Sequence, residues 1–417
     1  MNAEIEGVQS PESFQLKKLN ALWSEACDRV PYYQELRAQG LPRNFGSLDA
    51  FASIVPVFEK KTLQTEGQRS FAPLEKGQFK WYASGGSTTA EPTRFPKNQS
   101  EILIQEGSEW YLRSLIGITP KDPYFRIWGH RHLLGRGPER LFRIVERDIK
   151  DKCLGMTRFS AYNLSSEKVQ QGIRRLQESS SSYVLGFSKA LEAFAEELLK
   201  SKGSSCLSQY KGVIATAECF SSGESRKRVE EAFGCPVYME YGSMETGPIA
   251  QEVASGEYHV AWNKYLLEAL PTAEGTYKLL VTALYPRAFP LFRYDLGDLV
   301  SGFDQTLSIK QFKAIDGRSN PIFIAPSGNR IHSVPIIHTL DPTTGSVRLY
   351  QIGLRGERIA GIYLMLLPNK QLDISIDELR CRLNKVDEGL GDIPIEFITQ
   401  PFTTPAGKRP VFVQLKE

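Results

Sequence analysis

The sequence predicts an α/β protein with a large, multi-part N-terminal region and a small α+β domain at its C-terminal end. In the middle of the chain, the short apolar strand Gly212–Thr216 precedes the charged helix Ser225–Phe233, and a second strand-like run follows. This strand-helix-strand order is typical of an α/β core. The composition changes at Asp316-Gly317-Arg318, after which strand-like runs alternate with one helix. We therefore expect one domain over residues 1–316 and a second over residues 317–417.

The other elements follow from the spacing of apolar residues. Residues 13–40 have apolar side chains near helical spacing, and Val30-Pro31 interrupts this helix. Residues 277–303 change to short apolar runs with tight turns, which predicts a β-rich subdomain near the end of the first domain. Further helices are predicted over residues 99–116, Ser165–Leu176 and Ser188–Lys202.

Length, composition and charge indicate the broad class of protein. A chain of 417 residues is too long for one ordinary domain. Its apolar and charged fractions, 41% and 24%, are those of a soluble globular protein. A net charge of +3 is too small to indicate a nucleic-acid partner or a membrane surface.

The N-terminus and the cysteines predict a cytoplasmic protein. Met1–Phe14 has no apolar signal-peptide core, and no apolar run is long enough to span a bilayer. The six cysteines form no C-x-x-C pair, and none lies near a histidine at ligand spacing. These spacings speak against structural zinc and a disulfide framework, so we expect reduced thiols.

A loop rich in glycine and hydroxyl groups follows the aromatic run Trp81-Tyr82. Such a loop can point backbone N–H groups and hydroxyls at phosphate oxygens. It differs from a Walker A loop because no Gly-Lys-Ser/Thr follows. A flexible surface loop explains the same composition equally well. The residues concerned are Ser84, Gly85, Gly86, Ser87 and Thr88.

The stretch Tyr238–Gly247 joins a strand-like run to a turn that contains a carboxylate. Gly242 and Gly247 allow the backbone to pass close to a ligand or to take a positive φ. Tyr241 has a ring face for a flat ligand, and Glu245 has the hard oxygen atoms that suit Mg²⁺. The alternative is a strand end and a turn with an exposed glutamate, which is the commoner structure for an isolated Y-G-S-x-E.

Two later positions have side chains suited to nucleotide chemistry. Asp298 follows Gly297 at a turn, and an ionised aspartate can accept hydrogen bonds from two ribose hydroxyls. Lys408 follows Gly407 in a loop from which a lysine can swing. The alternatives, an aspartate-containing turn and a solvated loop lysine, are both common.

Residues 126–158 are basic. Arg140, Arg143 and Arg147 would share one face of a helix. This spacing predicts either a solvated basic face or a site for an acidic substrate or a phosphopantetheine-type cofactor. His130 has no Cys, Asp or Glu nearby at ligand spacing, so it is a candidate for a substrate pocket rather than for a metal site.

Taken in order, these stretches resemble those of the adenylate-forming superfamily of acyl-CoA synthetases and adenylation domains. The order is a hydroxyl-glycine loop, Y-G-S-x-E, R-Y-D-L-G-D, a Gly-Arg boundary and a late Gly-Lys. The likeness is greatest to the phenylacetate–CoA ligase branch and its relatives from polysaccharide loci. Val30–Tyr33 is similar to that branch's V-P-Y-Y and Val55–Lys60 to its L-P-x-x-x-K. Gly186–Leu191 is similar to its G-x-x-S-x-L, with the serine one position earlier. The resemblance implies an N-terminal adenylate-forming domain with a small, mobile C-terminal domain.

The resemblance also implies a reaction. A carboxylic acid would attack the α-phosphate of ATP, with Mg²⁺ present, to give acyl-AMP and pyrophosphate. A thiol or an amine would then take the acyl group, and CoA is the expected co-substrate.

Family roles transfer to this sequence by motif. Ser84, Gly85, Gly86, Ser87 and Thr88 would hold the β- and γ-phosphates. Tyr241 and Gly242 would pack on adenine together with Glu218, and Ser243 would belong to the same nucleotide site. Asp298 would bind the ribose hydroxyls, with Arg293 and Arg318 nearby.

The resemblance assigns catalysis to Lys408, Glu245 and Arg293. Glu245 would hold Mg²⁺, which bridges phosphate oxygens and offsets their charge. Lys408 would come from the mobile C-terminal domain to the α-phosphate and the carboxylate, where negative charge concentrates in the transition state.

The sequence departs from the family in two places. Thr89-Ala90 replaces the single glycine that precedes Glu-Pro, and a threonine does not easily take a positive φ. Asn320 stands where the boundary motif has an aspartate.

Three functions follow from the resemblance and the departures. They are an acid–CoA ligase, an amide- or ester-forming ligase without CoA, and a nucleotide-binding protein that has lost catalysis. The retained Glu245, Asp298 and Lys408 favour the first two functions, whereas the altered phosphate loop favours the third.

Overall fold

The computed structural model describes most of the chain. The described residues are 10–74, 77–83, 94–128, 139–161, 166–200, 210–220, 223–273, 275–318, 322–332, 336, 339–340, 346–403 and 409–415. Contacts divide the chain into two compact units. The first unit combines Met1–Thr119 with Glu240–Ser319, and the second combines Pro120–Met239 with Asn320–Glu417.

The helices and strands follow one another in a mixed α/β order. The described helices are α1 (Pro11–Arg29), α2 (Pro31–Ala38), α3 (Leu48–Ile54), α4 (Lys60–Glu66), α5 (Gln99–Ser114), α6 (Glu139–Cys153), α7 (Ser166–Gln177), α8 (Ser188–Lys200), α9 (Gly223–Phe233) and α10 (Ile376–Asn384). The described strands are β1 (Phe79–Ala83), β2 (Arg94–Asn98), β3 (Tyr124–Trp128), β4 (Met156–Ser160), β5 (Tyr183–Phe187), β6 (Val213–Thr216), β7 (Val237–Ser243), β8 (Gly247–Glu252), β9 (Tyr258–Val260), β10 (Tyr265–Pro271), β11 (Tyr277–Ala283), β12 (Tyr294–Ser301), β13 (Gln311–Phe312), β14 (Ala314–Arg318), β15 (Ile322–Ile324), β16 (Arg330–His332), β17 (Val347–Arg355), β18 (Arg358–Leu366), β19 (Ile395–Phe397) and β20 (Phe412–Gln414).

Side-chain caps and prolines set several helix boundaries. The Ser10 hydroxyl accepts a hydrogen bond from the Ser13 amide at the start of α1, and Pro11 occupies the first turn, where no amide hydrogen is needed. Val30 ends this helix in an extended conformation because the residue before a proline avoids helical angles. The helix predicted over residues 13–40 is therefore two helices, α1 and α2, and the predicted interruption is confirmed.

The first unit contains three antiparallel groups of strands. β1 and β2 form a hairpin, and β10, β11, β12 and β14 form a four-stranded sheet in that order. β7, β8, β9 and β13 pair in a further antiparallel series. The predicted β-rich region after residue 277 is confirmed by β11 and β12.

An aromatic core holds the N-terminal helices of the first unit against its sheet. Trp23 is fully buried, and its ring meets those of Tyr33, Phe45, Phe51 and Phe292 edge to face, with ring centres 5.2–6.3 Å apart. Edge-to-face contact places the positive edge of one ring on the negative face of another. Trp23 is therefore the central residue of this core.

The first part of the second unit is the predicted α/β core. β4, β3, β5 and β6 are parallel neighbours in that order, and α7, α8 and α9 contribute to one buried cluster with them. β5 and β6 are buried along their whole length, as parallel strands covered on both faces must be. The predicted strand-helix-strand order is confirmed by β6, α9 and β7.

The second part of the second unit has a core of its own. β15 to β20 form one sheet, with α10 packed on it through Leu379 and Leu383. This cluster runs from Phe323 to Ile393 and is separate from the cluster around β3 to β6. The predicted boundary between residues 316 and 317 stays a prediction, because contacts group residues 320–417 with residues 120–239.

Within the described ranges, no helix is long and apolar enough to cross a lipid bilayer.

The aromatic core generates a stability prediction. Trp23→Ala should lower the free energy of unfolding by about 3–5 kcal/mol, because the ring is fully buried and its removal leaves a cavity. Urea unfolding followed by circular dichroism measures the change. Ile54→Ala, at a position 48% exposed, is the control and should cost far less. Equal losses in the two variants would contradict the central position of Trp23.

Candidate active site

The hairpin between β7 and β8 contains the turn predicted from Tyr238–Gly247. Ser243 lies opposite Gly247, and reciprocal hydrogen bonds close the turn. The Ser243 amide donates to the Thr246 hydroxyl oxygen at 3.1 Å, and the Thr246 amide donates to the Ser243 hydroxyl oxygen at 3.2 Å. The hydroxyl groups thus replace backbone acceptors and fix the shape of the turn.

Gly242 stands where two backbone segments approach closely. A Cβ atom at this position would lie 2.3 Å from the Gly247 carbonyl oxygen and 2.8 Å from Pro248 Cα. Backbone atoms cannot rotate away as a side chain can, so any larger residue must open the hairpin. Gly247 itself has a φ of +74°, which side chains rarely allow.

Tyr241 and Asp298 meet although 57 residues separate them in sequence. The Tyr241 hydroxyl donates to Asp298 Oδ2 at 2.9 Å. Asp298 lies on β12 directly after Gly297, which has a φ of +80°, and the pairing of β11 with β12 is irregular between Lys278 and Leu280. The structure therefore brings two predicted nucleotide-site residues into direct contact.

Glu245 is buried, with 2% of its surface exposed, so the alternative of an exposed turn glutamate is wrong. Lys60 Nζ lies 3.6 Å from Glu245 Oε1, and the Tyr294 hydroxyl donates to the same oxygen at 3.3 Å. Within the described residues the other oxygen, Oε2, makes no hydrogen bond. A single carboxylate with an open oxygen fits Mg²⁺, which proteins often hold through one or two carboxylates and substrate phosphates.

The buried Arg287 binds the backbone of the turn that contains Glu245. Its guanidinium donates to the Glu245 carbonyl oxygen at 2.7 Å and to the Tyr285 hydroxyl at 2.7 Å, and it pairs with the Glu101 carboxylate at 2.7 Å. Arg287 and Glu101 are almost completely buried. Tyr265 adds a hydrogen bond from its hydroxyl to the Thr246 carbonyl oxygen at 2.6 Å. These groups hold the backbone of the turn at two successive carbonyls.

Sequence reasoning missed this buried polar network. Glu101, Gln105 and Ser108 lie on one face of α5, at helical spacing, and all three are buried. Gln105 Nε2 donates to the Tyr285 hydroxyl at 3.0 Å. Polar residues at the spacing of a core-facing stripe were the available signal, because such residues need buried partners.

The partners of Arg293 differ from those that its predicted catalytic role, near Asp298, requires. Its guanidinium pairs with Glu268, with nitrogen-oxygen distances of 2.8 and 2.5 Å, and also donates to the Val55 carbonyl oxygen. It makes no hydrogen bond to Glu245 or Asp298. Its φ of +48° is rare for a residue with a side chain and is a site of backbone strain. A catalytic role for Arg293 stays a prediction.

Glu218 lies in the second unit, at the N-terminus of α8. Its Oε1 accepts a hydrogen bond from the Lys189 amide at 3.3 Å, and its carbonyl oxygen accepts one from the Ser188 hydroxyl at 2.6 Å. A carboxylate is favoured at this end of a helix because amide hydrogens there lack partners. The preceding Ala217 has a φ of +69°, a second case of strain beside a predicted site residue.

Arg409, the described residue that follows Lys408, lies in the same unit near a group of carboxylates. Burial lowers the pKa of Arg409, and nearby Arg348 lowers it further. The carboxylates that oppose this shift are Glu218, Glu192 and Glu196. Arg348 pairs with Glu196 at 2.7 Å. The guanidinium of Arg409 is thus under the influence of charges that include the predicted site residue Glu218.

Several predicted residues fall outside the described part of the chain. Ser84, Gly85, Gly86, Ser87, Thr88, His130 and Lys408 all do so. Arg318 is described through its backbone, which pairs with Asp298 between β12 and β14. The helix that carries Arg140, Arg143 and Arg147 is present as α6, and Arg147 pairs with the neighbouring exposed Asp148 at 2.8 Å.

The architecture matches solved structures over nearly its whole length. A 2-hydroxyisobutyryl-CoA ligase in the postadenylation state, in complex with R3-HIB-AMP, has a TM-score of 0.70 and is 17% identical. The match covers 97% of this chain and 90% of the ligase. The chain has the adenylate-forming fold.

Two further proteins are also similar to this chain. An amide bond synthetase, McbA from Marinactinospora thermotolerans, shares the adenylate-forming fold with a TM-score of 0.52 and 13% identity, over 82% of this chain and 69% of the synthetase. Protein CapK of Staphylococcus aureus is 23% identical over 265 residues, which is 62% of this chain and 58% of CapK. No protein-family model matches the sequence. The likeness to the phenylacetate–CoA ligase branch stays a prediction.

The close approach at Gly242 generates a prediction. Gly242→Ala should lower the free energy of unfolding by roughly 1–3 kcal/mol, because the added carbon meets backbone atoms that cannot move separately. Thermal unfolding measures the change. Gly107→Ala is the control, since a Cβ there meets nothing within 4 Å and the residue lies inside α5. The control should be neutral or stabilising. A stable Gly242→Ala protein would contradict the required close approach.

The contact between Tyr241 and Asp298 generates a second prediction. Asp298→Ala should weaken ATP binding by roughly 10- to 100-fold, because charge-assisted hydrogen bonds to the ribose are lost. Tyr241→Phe should weaken it less, since the ring remains and only the contact that orients the aspartate is lost. Titration calorimetry with ATP measures both effects. Asp304→Ala, at an exposed loop position, should bind ATP normally. Unchanged affinity in Asp298→Ala would remove Asp298 from the nucleotide site.

Proposed function

We propose that this protein activates a carboxylic acid with ATP, forming acyl-AMP and pyrophosphate, and transfers the acyl group to a thiol, most simply CoA. The observation that carries the proposal is the contact between Tyr241 and Asp298 beside the buried Glu245, in a chain with the adenylate-forming fold. Recognition of a nucleoside triphosphate needs an aromatic ring against the base, a hydrogen-bond acceptor for the ribose hydroxyls and a carboxylate that binds the metal ion.

The nucleotide end of the site has a simple division of roles. Tyr241 would pack its ring on adenine, and the resemblance assigns Gly242, Ser243 and Glu218 to the same nucleotide role. Asp298 would accept hydrogen bonds from the ribose hydroxyls, and the Tyr241 hydroxyl would hold its carboxylate in the required orientation. Arg318, which pairs with Asp298 through the backbone, would add a positive charge.

The phosphate end would combine a loop and a carboxylate. Ser84, Gly85, Gly86, Ser87 and Thr88 would donate hydrogen bonds to the β- and γ-phosphates. Glu245 would hold Mg²⁺, which offsets negative charge on phosphate oxygens when it is bound. The Tyr294 hydroxyl and Lys60 orient Glu245 through one oxygen and leave the other for this purpose.

Transfer of the acyl group would involve the C-terminal residues. Lys408 would contact the α-phosphate and the carboxylate during adenylation. Arg409, the residue after Lys408, lies near Glu218 within the second unit. Rotation of a domain over residues 317–417 would then move Lys408 away from the acyl-AMP and allow the acceptor to reach it. His130 and the basic face of α6 remain candidates for contacts to the acid and to the phosphates of CoA.

A second acceptor is also supported. The adenylate-forming fold is shared by an amide bond synthetase as well as by a CoA ligase, with TM-scores of 0.52 and 0.70. The second candidate function is therefore an acyl-AMP-dependent ligase that passes the acyl group to an amine.

Lys408 provides the test of the first step. Lys408→Ala should reduce pyrophosphate exchange, measured across a panel of carboxylic acids, by about 10²–10³-fold, the loss typical of one electrostatic stabiliser of a transition state. ATP affinity should change little, because the lysine acts mainly in the transition state. Lys385→Ala, an exposed lysine at the end of α10, is the control. If wild-type protein binds ATP but shows no pyrophosphate exchange with any acid, the result would instead indicate the nucleotide-binding function without catalysis.

The acceptor is tested in a separate experiment. Once an acid supports exchange, the reaction is supplied with CoA or with a panel of amines, and thioester and amide products are measured by mass spectrometry. We expect thioester from CoA. Acyl-AMP formation with amide product and no thioester would replace the first candidate by the second.

A further inference from the structure

Lys97 is a buried lysine that the roles above do not explain. It lies on β2, and its residue surface is 5% exposed. Its Nζ atom donates to Gln105 Oε1 at 2.7 Å and lies 5.2 Å from the centre of the Tyr82 ring. An ammonium group has three donors, and within the described part of the chain Lys97 makes this one hydrogen bond and no ion pair within 4 Å.

Lys97 has neighbours on β1 and, through Gln105, beside the turn that contains Glu245. Tyr82, whose ring Lys97 covers, lies on β1 two residues before Ser84, the first residue of the predicted phosphate loop. Gln105, its hydrogen-bond partner, packs against Gly247, since a Cβ on that glycine would meet the Gln105 side chain at 3.2 Å. The ammonium therefore lies between the strand that enters the phosphate loop and the turn that contains Glu245.

The charges around Lys97 leave it incompletely neutralised. Burial lowers its pKa to about 8, and Arg287 acts in the same direction. Glu101 and Glu245 oppose this shift, but Glu101 is already paired with Arg287 at 2.7 Å. Among the described residues, Lys97 has no oppositely charged partner within 4 Å, and a desolvated charge in this situation is costly to a folded protein. Such a group at a candidate site is more consistent with binding a ligand than with stabilising the fold.

We propose that Lys97 binds an anionic oxygen of the bound reactants, either a phosphate oxygen of ATP or the carboxylate of the acid substrate. The inference rests on the proposed function and adds a contact that none of the roles above includes. The two donors of the ammonium that find no partner among the described residues would bind this oxygen, and Gln105 would keep the side chain in place. The bound oxygen would add a close negative charge to the more distant influence of Glu101 and Glu245.

The first experiment measures the charge of Lys97 itself. Lysines are reductively methylated with ¹³C-formaldehyde, and the pKa of Lys97 is followed by NMR with and without MgATP. An anionic partner favours the charged ammonium, so MgATP should raise the pKa from about 8 if a phosphate is the ligand. Methylated Lys80, the exposed cross-strand neighbour of Lys97, is the internal control and should not respond.

The second experiment uses Lys97→Met, which keeps the length of the side chain and removes its charge. If a phosphate is bound, MgATP affinity by calorimetry should fall by roughly 10- to 100-fold, as expected for a hydrogen bond to a charged group. If the carboxylate is bound, MgATP affinity should stay unchanged and KM for the acid in pyrophosphate exchange should rise by a similar factor. Lys97→Arg should recover part of the loss, and Lys80→Met should show none.

Stability separates this role from a structural one. Lys97→Met should leave the melting temperature unchanged or raise it, because it removes a poorly paired buried charge. A lower melting temperature with unchanged MgATP affinity and unchanged KM would overturn the proposal. If Lys97→Met does not fold, a Lys97 pKa in wild-type protein that responds neither to MgATP nor to the acid would overturn it as well. Wild-type protein that binds MgATP but exchanges no pyrophosphate would contradict the proposed function and leave the phosphate contact of Lys97 intact.

Discussion

The candidate active site depends on the ion pair and the hydrogen bonds that the buried guanidinium of Arg287 makes. A guanidinium taken out of water must use its donors, and Arg287 uses them on Glu101, Tyr285 and the carbonyl oxygens of Glu245 and Phe289. These partners come from α5, from the segment after β11 and from the turn after β7. Through these contacts the arginine ties the Glu245 turn to α5 and to the segment after β11.

The rest of the first unit supports this arrangement. The close backbone approach at Gly242 and the reciprocal bonds between Ser243 and Thr246 make the turn compact, so the carboxylate of Glu245 is presented from a rigid backbone. Lys60 then offsets part of its negative charge at 3.6 Å. A site with preorganised dipoles suits a reaction that develops charge on phosphate. The polar groups of such a site need not reorient when that charge appears.

The secondary structure and part of the site were predictable from the sequence. Helical spacing located α5, α7 and α8, and the two glycines of the turn marked its close backbone contact. The likeness to adenylate-forming enzymes anticipated the fold. The partners of Arg293 were not predictable, since Glu268 and the Val55 carbonyl come from distant parts of the chain. Its positive φ was equally hidden, because non-glycine residues take that angle only under tertiary constraint.

The sequence by itself determined the local chemistry: which residues form helices and strands, where glycine is needed, and that Tyr241, Glu245 and Asp298 have side chains suited to a nucleotide. These properties depend on near neighbours and on the nature of each side chain. Only the tertiary structure decided that Tyr241 donates to Asp298, that Glu245 is buried, and that the buried Lys97 donates to Gln105. The physical reason is that burial and charge pairing arise from segments far apart in sequence, whose meeting is set by packing of the whole unit.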